Sequence, residues 1–426
     1  MRLLNNVIGK IEPILIVIAL VGSEDTWLTP LDQANSLILY LVVPFLALLR
    51  WKRLLYVATR NIPLLILYGY TFSSFFWSAV PNRTLSLLIA FIPRTLLAIY
   101  LAACYSPKEF THLLAWTFGL SNLLSSFLTR FNNSAWMGIY LHKNYLARMS
   151  SVGALLFIAK AMDNSKQRLW FAFLTAYSMA MLFLSQGKSS LVVFLLSASL
   201  LPLYRIVKRN YKFQTAFLAS SVLVVGILSS WVAQNLEFIV VDVLGKSLAL
   251  NGRTGLWSYL IERGLTRPWL GYGYYAFWAH PEERYDILVH TWYTFGGGTA
   301  RTALYTGSGG HSHSGFIDLF LSLGLIGMIL FAISFFNILW MLIKLIVKTK
   351  KIDYFWMLSF LVFMVPLNFT ITGTLVSARH LFWIIYVAIG LMCALQLERL
   401  KRGYYAPLPT RSTAEQYALQ GSLNKA

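Results

Sequence analysis

The sequence predicts an all-α, polytopic membrane protein of about twelve transmembrane helices, and three observations carry that prediction. First, 57% of the 426 residues are hydrophobic and 12% are charged, and the mean hydropathy is +0.61. Soluble domains run nearer half apolar and a quarter charged. Second, apolar runs of the length a helix needs to cross a bilayer, about 20 residues, recur along the chain. Third, Lys and Arg gather in alternate connections between those runs, as bases retained on the cytoplasmic side do. A collagen, a disordered tail and a disulfide-stapled secreted domain are excluded. The last needs more than Cys104 and Cys393, which are read as inert.

In chain order the runs lie near 4–22, 35–49, 62–79, 85–104, 112–128, 146–162, 169–184, 189–204, 215–233, 314–346, 354–371 and 379–396. The first carries Arg2 and Lys10 as a signal peptide would. With many spans behind it and no small-residue cleavage site, it reads as an uncleaved first helix. Arg50, Lys52, Arg53 and Arg60 follow the second run, and Lys108 follows the fourth. Lys160, Lys166 and Arg168 follow the sixth, Arg205, Lys208, Arg209 and Lys212 the eighth, and Lys344, Lys348, Lys350 and Lys351 the tenth. These, with Arg399, Lys401, Arg402, Arg411 and Lys425 of the tail, define a cytoplasmic face that holds both termini. The first outer connection carries Glu24, Asp25 and Asp32 and no base. The tenth run is long enough to include an interfacial extension at its Lys344 end. Residues 1–233 are thus expected to hold spans one to nine, 234–313 a large extracytoplasmic helical loop, 314–396 spans ten to twelve, and 397–426 a cytoplasmic tail.

The net charge is +20, from 36 Lys and Arg against 16 Asp and Glu. Topology accounts for most of the bases and leaves no call for nucleic acid. It does not account for Arg83, Arg94, Arg130, Lys143, Arg148, Lys188, Lys246, Arg253, Arg263, Arg267, Arg284, Arg301 and Arg379, which fall in spans or on the outer side. A base in hydrocarbon costs at least a few kcal/mol, so each needs a partner or a role. Asp318 is the plausible acid at span depth on that side and is read as a counter-ion to a nearby Arg. The cation surplus suits an anionic ligand, phosphate above all, because the planar guanidinium fork grips two oxygens. Snorkelling to lipid headgroups is the competing explanation for any one of them.

The outer stretch from Gln234 to His313 is where function is expected. Asn251-Gly252-Arg253-Thr254 precedes Leu256, Trp257, Leu260 and Ile261 at helical spacing, and Gly264 and Pro268 end the run. Trp269, Tyr272, Tyr274, Tyr275, Phe277 and Trp278 follow, an aromatic density that fits a membrane-interface belt better than a sugar-stacking surface. Two glycine-rich runs, at 296–298 and 306–310, then lead to His311-Ser312-His313-Ser314. Gly187-Lys188-Ser189 ends like a nucleotide-binding loop, but Leu182 stands where that motif needs glycine, so the nucleotide reading is rejected.

Four pieces, HKNYLARM at 142–149, LSQGKSSL at 184–191, GRTGLWSYLIERGLTRPWLGYGYYAF at 252–277 and HSHSGFIDLFLSLGLIG at 311–327, together resemble the O-antigen ligase and polymerase superfamily of bacterial envelope glycosyltransferases. The His-Lys-Asn piece is most similar to its exopolysaccharide-polymerase branch. Two positions depart from the family pattern: Lys188 stands where Arg is usual, and Ser314 follows His313 where Asn is usual, which leaves His311 as a substitute base.

The resemblance implies a GT-C-like helical bundle in the bacterial inner membrane, with its active site on the periplasmic face and no cofactor or metal. It implies transfer of a glycan from an undecaprenyl-pyrophosphate carrier to an acceptor hydroxyl. The expected partners are the lipid-linked donor and acceptor, membrane lipids and other polysaccharide export proteins. Arg253 and His313 are the expected catalytic pair, Arg253 stabilising the leaving pyrophosphate and His313 taking the proton. Lys188, Lys143, His142, Arg267 and His311 are expected to bind substrate. A polymerase, a ligase acting on a terminal acceptor, and a lipid-linked oligosaccharide flippase all remain open, although the paired repeats common in transporters are not evident.

Overall fold

The computed structural model describes residues 2–163, 166–205, 253–283, 312–369, 375–377 and 380–402, with single positions between 220 and 228. In chain order the helices are α1 (Arg2–Val21), α2 (Thr29–Leu49), α3 (Trp51–Ala58), α4 (Ile62–Trp77), α5 (Pro81–Cys104), α6 (Pro107–Phe127), α7 (Lys143–Asp163), α8 (Arg168–Leu184), α9 (Lys188–Ala198), α10 (Arg253–Gly264), α11 (Gly315–Thr349), α12 (Ile352–Leu367) and α13 (Leu381–Lys401). Most of the expected ninth span, the glycine-rich runs, His311 and the tail beyond 402 lie outside the described residues. Among the described residues five helices, α2, α5, α7, α11 and α13, are long and apolar enough to cross a membrane. Their surroundings agree: Leu48, Phe76, Phe127 and Leu169 are 71%, 85%, 79% and 86% exposed. An exterior this apolar is covered by lipid, and the chain is a multi-pass membrane protein.

Local chemistry explains the helix starts. Proline occupies the first turn of α2, α4, α5 and α6, where its missing N–H costs nothing. Ser106 and Glu109 cap α6 reciprocally: Glu109 N donates to Ser106 Oγ at 3.3 Å and Ser106 N to Glu109 Oε2 at 2.8 Å. The connection expected at 50–61 contains a helix, α3, because Leu54 and Val57 are buried on one side while Lys52 and Arg53 face outward.

The all-α expectation is incomplete in one place. Strands β1 (Arg130–Asn132) and β2 (Ala135–Gly138) form an antiparallel hairpin. Its two-residue turn, Asn133-Ser134, has φ of 46° and 67°, the left-handed pair that short hairpins require and that Asn tolerates. The chain beyond it pairs with the α1–α2 connection, Trp27 N donating to Ile139 O at 3.1 Å and Leu141 N to Asp25 O at 3.1 Å. This pairing carries Glu24 inward onto α7.

The 35-residue α11 is broken at Gly324, whose φ of 63° and ψ of −167° are not helical and suit only glycine. The break frees backbone groups, and the loop after α10 takes them up. Leu325 N donates to Pro268 O at 2.8 Å and Ile326 N to Trp269 O at 3.2 Å. On the other side of the break, Tyr272 N donates to Leu321 O at 2.8 Å, Gly273 N to Ser322 O at 3.0 Å and Tyr70 Oη to Leu323 O at 3.0 Å. A Cβ at Gly324 would lie 2.2 Å from Trp269 O, so two backbones meet here without room for a side chain.

The aromatic stretch is a core. Tyr272, Phe277 and Trp278, with Leu260 of α10 and Leu321 of α11, form a buried cluster, and Tyr274 is 1% exposed. The expectation of an interfacial belt fails for these residues because the loop is pinned into the broken helix, which turns its rings inward. Trp269 alone of the set stays largely exposed, at 63%.

Candidate active site at the start of α11

His313 stands immediately before α11 with φ of 57°, a left-handed conformation that is costly for a residue carrying a Cβ. Its neighbours hold it there. Ser312 Oγ donates to Ser314 O at 2.6 Å and accepts from Ser314 N at 3.0 Å, bracing the turn across His313. Ser312 N donates to Asp318 Oδ1 at 3.2 Å, and the Trp278 indole donates to the same oxygen at 3.1 Å. From below, Gly315 N donates to Asn368 O at 2.9 Å, and a Cβ at Gly315 would meet Asn368 Oδ1 at 2.0 Å. The end of α12 is therefore locked to the start of α11, and the imidazole is presented half-buried on a fixed turn.

Helix α10 reaches the same turn. Trp257 Nε1 donates to Ser312 O at 2.7 Å. Arg253 is the first residue of α10, one helical turn before Trp257. The Gly-Arg-x-x-x-Trp motif thereby acquires a physical reading: its Trp docks the helix beside His313 and its Arg position opens the helix, where the backbone N–H groups favour an anion.

A second group of expected site residues gathers at the start of α7. Lys143 is the first residue of that helix, and His142 caps it, Nδ1 accepting from Asn144 N at 3.1 Å. Gly187 packs against the same helix so tightly that a Cβ would lie 2.3 Å from the Ala147 Cβ, which brings Lys188, exposed at the start of α9, to the side of α7 that holds Lys143. Arg267 is apart from both groups, on the exposed loop after α10 with its guanidinium 4.9 Å from the centre of the Tyr272 ring.

Three residues link the two groups: Arg148, one of the bases that needed a partner, and two that sequence reasoning passed over as site residues, Glu24 and His380. Glu24, Arg148 and His380 meet at the ends of their segments nearest the start of α7. Arg148 and Glu24 form an ion pair with both side chains 0% exposed. His380 Nδ1 lies 3.0 Å from the Glu24 carboxylate and 2.9 Å from Arg148 Nη2, and Leu381 N donates to Glu24 Oε1 at 3.1 Å. Burial opposes ionisation of Glu24, but Arg148 and His380 outweigh it and hold the carboxyl below its ordinary range. Tyr145 connects this cluster to the α7 start: its ring is 6.2 Å from His142 and 5.7 Å from His380. Tyr275 lies within electrostatic reach of both Tyr145 and Asp318, and burial, then Asp318, push its hydroxyl above the usual tyrosine range.

Two expectations about charge are corrected here. Asp318 is not the acid that answers the surplus: Glu24 pairs with Arg148, and Glu283 Oε2 accepts from Arg263 Nε at 2.8 Å. Among the described residues Asp318 meets neutral donors in place of the expected Arg, because its position in the first turn of α11 faces the Ser312 turn. A signal for Glu24 and His380 existed, since ionisable groups beside spans are rarely idle. Glu24 had been read for topology alone.

Residues 172–332 match the family described as O-antigen ligase. That stretch contains Lys188, Arg253 and His313 and the break in α11. The chain is also similar to the exopolysaccharide production protein ExoQ of Rhizobium meliloti strain 1021, 24% identical over 275 residues that cover 60% of this chain and 59% of the relative. The match thus spans less than two thirds of that relative's length. Together the two likenesses support the O-antigen ligase superfamily.

Proposed function

We propose that the chain is a glycosyltransferase of about twelve spans that moves a saccharide from an undecaprenyl-pyrophosphate carrier to a hydroxyl of a lipid-linked repeat unit and so polymerises a surface polysaccharide. The observation that carries this reading is the braced His313 turn with the α10 start docked beside it. The turn holds an imidazole in place, and imidazole is the side chain suited to taking a hydroxyl proton near neutrality. Beside it, a helix N-terminus headed by Arg253 suits a leaving pyrophosphate. The family match over this stretch supports the same assignment.

In the proposed step the acceptor oxygen bonds to the anomeric carbon as the carbon–oxygen bond to pyrophosphate breaks. His313 receives the hydroxyl proton, and the carrier pyrophosphate leaves with the bonding pair. The growing chain on its carrier is the donor and a newly flipped repeat unit the acceptor, so extension occurs at the reducing end. Lys143, Lys188 and His142 bind the polyanionic substrate from the α7 side, and no metal or nucleotide takes part. The reaction takes place on the periplasmic face of a bacterial inner membrane, with both termini in the cytoplasm.

Incubating purified protein with the lipid-linked repeat unit alone tests the reading. A ladder of products is expected. Transfer only after a separate acceptor is added makes the protein a ligase, and no covalent change makes it a transporter.

A further inference from the structure

Helix α13 begins beside the Glu24–Arg148 pair, with His380 as its cap, and reaches Glu398 in its last turn about 27 Å away, taking 1.5 Å per residue. That is close to the thickness of a bilayer's hydrocarbon core, about 30 Å, so the end of α13 marks the opposite membrane boundary. Helix α3 lies against it there. Tyr56 Oη donates to Glu398 Oε1 at 3.1 Å, Arg60 Nη1 donates to the same oxygen at 3.3 Å, and Arg402 Nη2 at 2.5 Å.

One carboxylate thus serves two arginines, and further cations stand on the same two helices. Lys52, Arg53 and Arg399 pair with no acid among the described residues, and Arg53 and Arg399 stand close enough to repel each other. Cations held together without an acid lower their energy by binding an anion. The rim of the patch is apolar and uncovered: Leu48, Leu49, Trp51 and Leu55 are 71%, 60%, 56% and 58% exposed. An exposed apolar rim beside crowded guanidinia matches a ligand with acyl tails and a phosphate head.

We infer that the ends of α3 and α13 form a binding site for the phosphate headgroup of an anionic phospholipid in the leaflet opposite the His313 turn. The site is independent of the transfer reaction, and its test requires no substrate. Arg53 and Arg399 grip the phosphate, Lys52 flanks it, and the acyl chains lie over Leu48, Leu49 and Leu55.

The test uses the full chain purified in detergent with equal phosphatidylglycerol and phosphatidylcholine, with retained lipid counted by native mass spectrometry. The wild type is expected to keep phosphatidylglycerol preferentially. In Arg53→Gln/Arg399→Gln that preference is expected to fall about thirtyfold, the loss of two headgroup-facing charges, while Arg53→Lys/Arg399→Lys keeps most of it. Arg130→Gln, whose guanidinium stacks on Trp27 away from this patch, should match the wild type. Thermal unfolding offers a second measure that needs no variant: phosphatidylglycerol should raise the wild-type midpoint and phosphatidylcholine should not. Equal retention of both lipids by the wild type, an unchanged preference in the double Gln variant, or displacement of the lipid by millimolar inorganic phosphate overturns the inference.

Discussion

Replacing Arg148 with methionine keeps much of the side-chain volume and removes the guanidinium, leaving the Glu24 carboxylate buried with the His380 ring and the Leu381 N–H beside it but without its full positive charge. Both members of the pair are 0% exposed, so solvent cannot take the place of the lost cation. Breaking a buried pair by removing one partner costs about 3–5 kcal/mol, whereas removing both charges is often close to neutral. Arg148→Met is therefore expected to lose about 3–5 kcal/mol, and Glu24→Gln/Arg148→Met to recover most of it. The pH dependence provides an independent sign. In the wild type the Glu24 pKa lies below its ordinary 4.5, so the pair's stabilisation is present above that value and is lost as the pH falls through the folded pKa. In Arg148→Met burial prevails and the pKa is raised, so stabilisation is present under acid conditions and lost as the pH rises. Unfolding of the detergent-solubilised protein, followed by tryptophan fluorescence from about pH 2 to pH 8, measures both. An Arg148→Met protein within about 1 kcal/mol of the wild type at neutral pH, or one whose stability falls with acid as the wild type's does, refutes the reasoning.

Arg253→Ala should reduce glycan transfer by about a hundredfold or more while the protein still inserts and α10 still docks through Trp257, and Arg253→Lys should rescue only part, lacking the two-oxygen grip. Unchanged product length and yield in the Ala variant would remove Arg253 from the reaction. His313→Gly should retain the left-handed turn yet abolish transfer, while His311→Ala is the milder change. An active His313→Gly with an inactive His311→Ala moves the base to His311. Transfer should also survive EDTA, and activity lost on chelation and restored by one divalent ion would make His311 and His313 candidate metal ligands.

Much of the helical framework was legible in the sequence because hydropathy is local: a run of apolar residues must become a helix in lipid wherever its neighbours stand. For that reason helices occupy the expected runs throughout the described residues, and the motif stretch from Arg253 to Gly264 forms the predicted helix. His313 was singled out by motif order, and the structure places it directly before α11. What the sequence could not convey were encounters between distant segments. Glu24, Arg148 and His380 are far apart in the chain: Arg148 stood out as a base in need of a partner, but nothing local named Glu24 or His380 as that partner, and the pairing of the α1–α2 connection with residues 138–141 brings the acid to the base. The aromatics at 272–278 look like a membrane belt until Gly324 breaks α11 and the loop after α10 enters the gap, which turns them into core. Composition and periodicity are sums over neighbouring residues, so they determined which segments cross or pack as helices. Ion pairs, helix breaks and the braced His313 turn depend on which side chains meet across the fold, and the tertiary structure alone decides that.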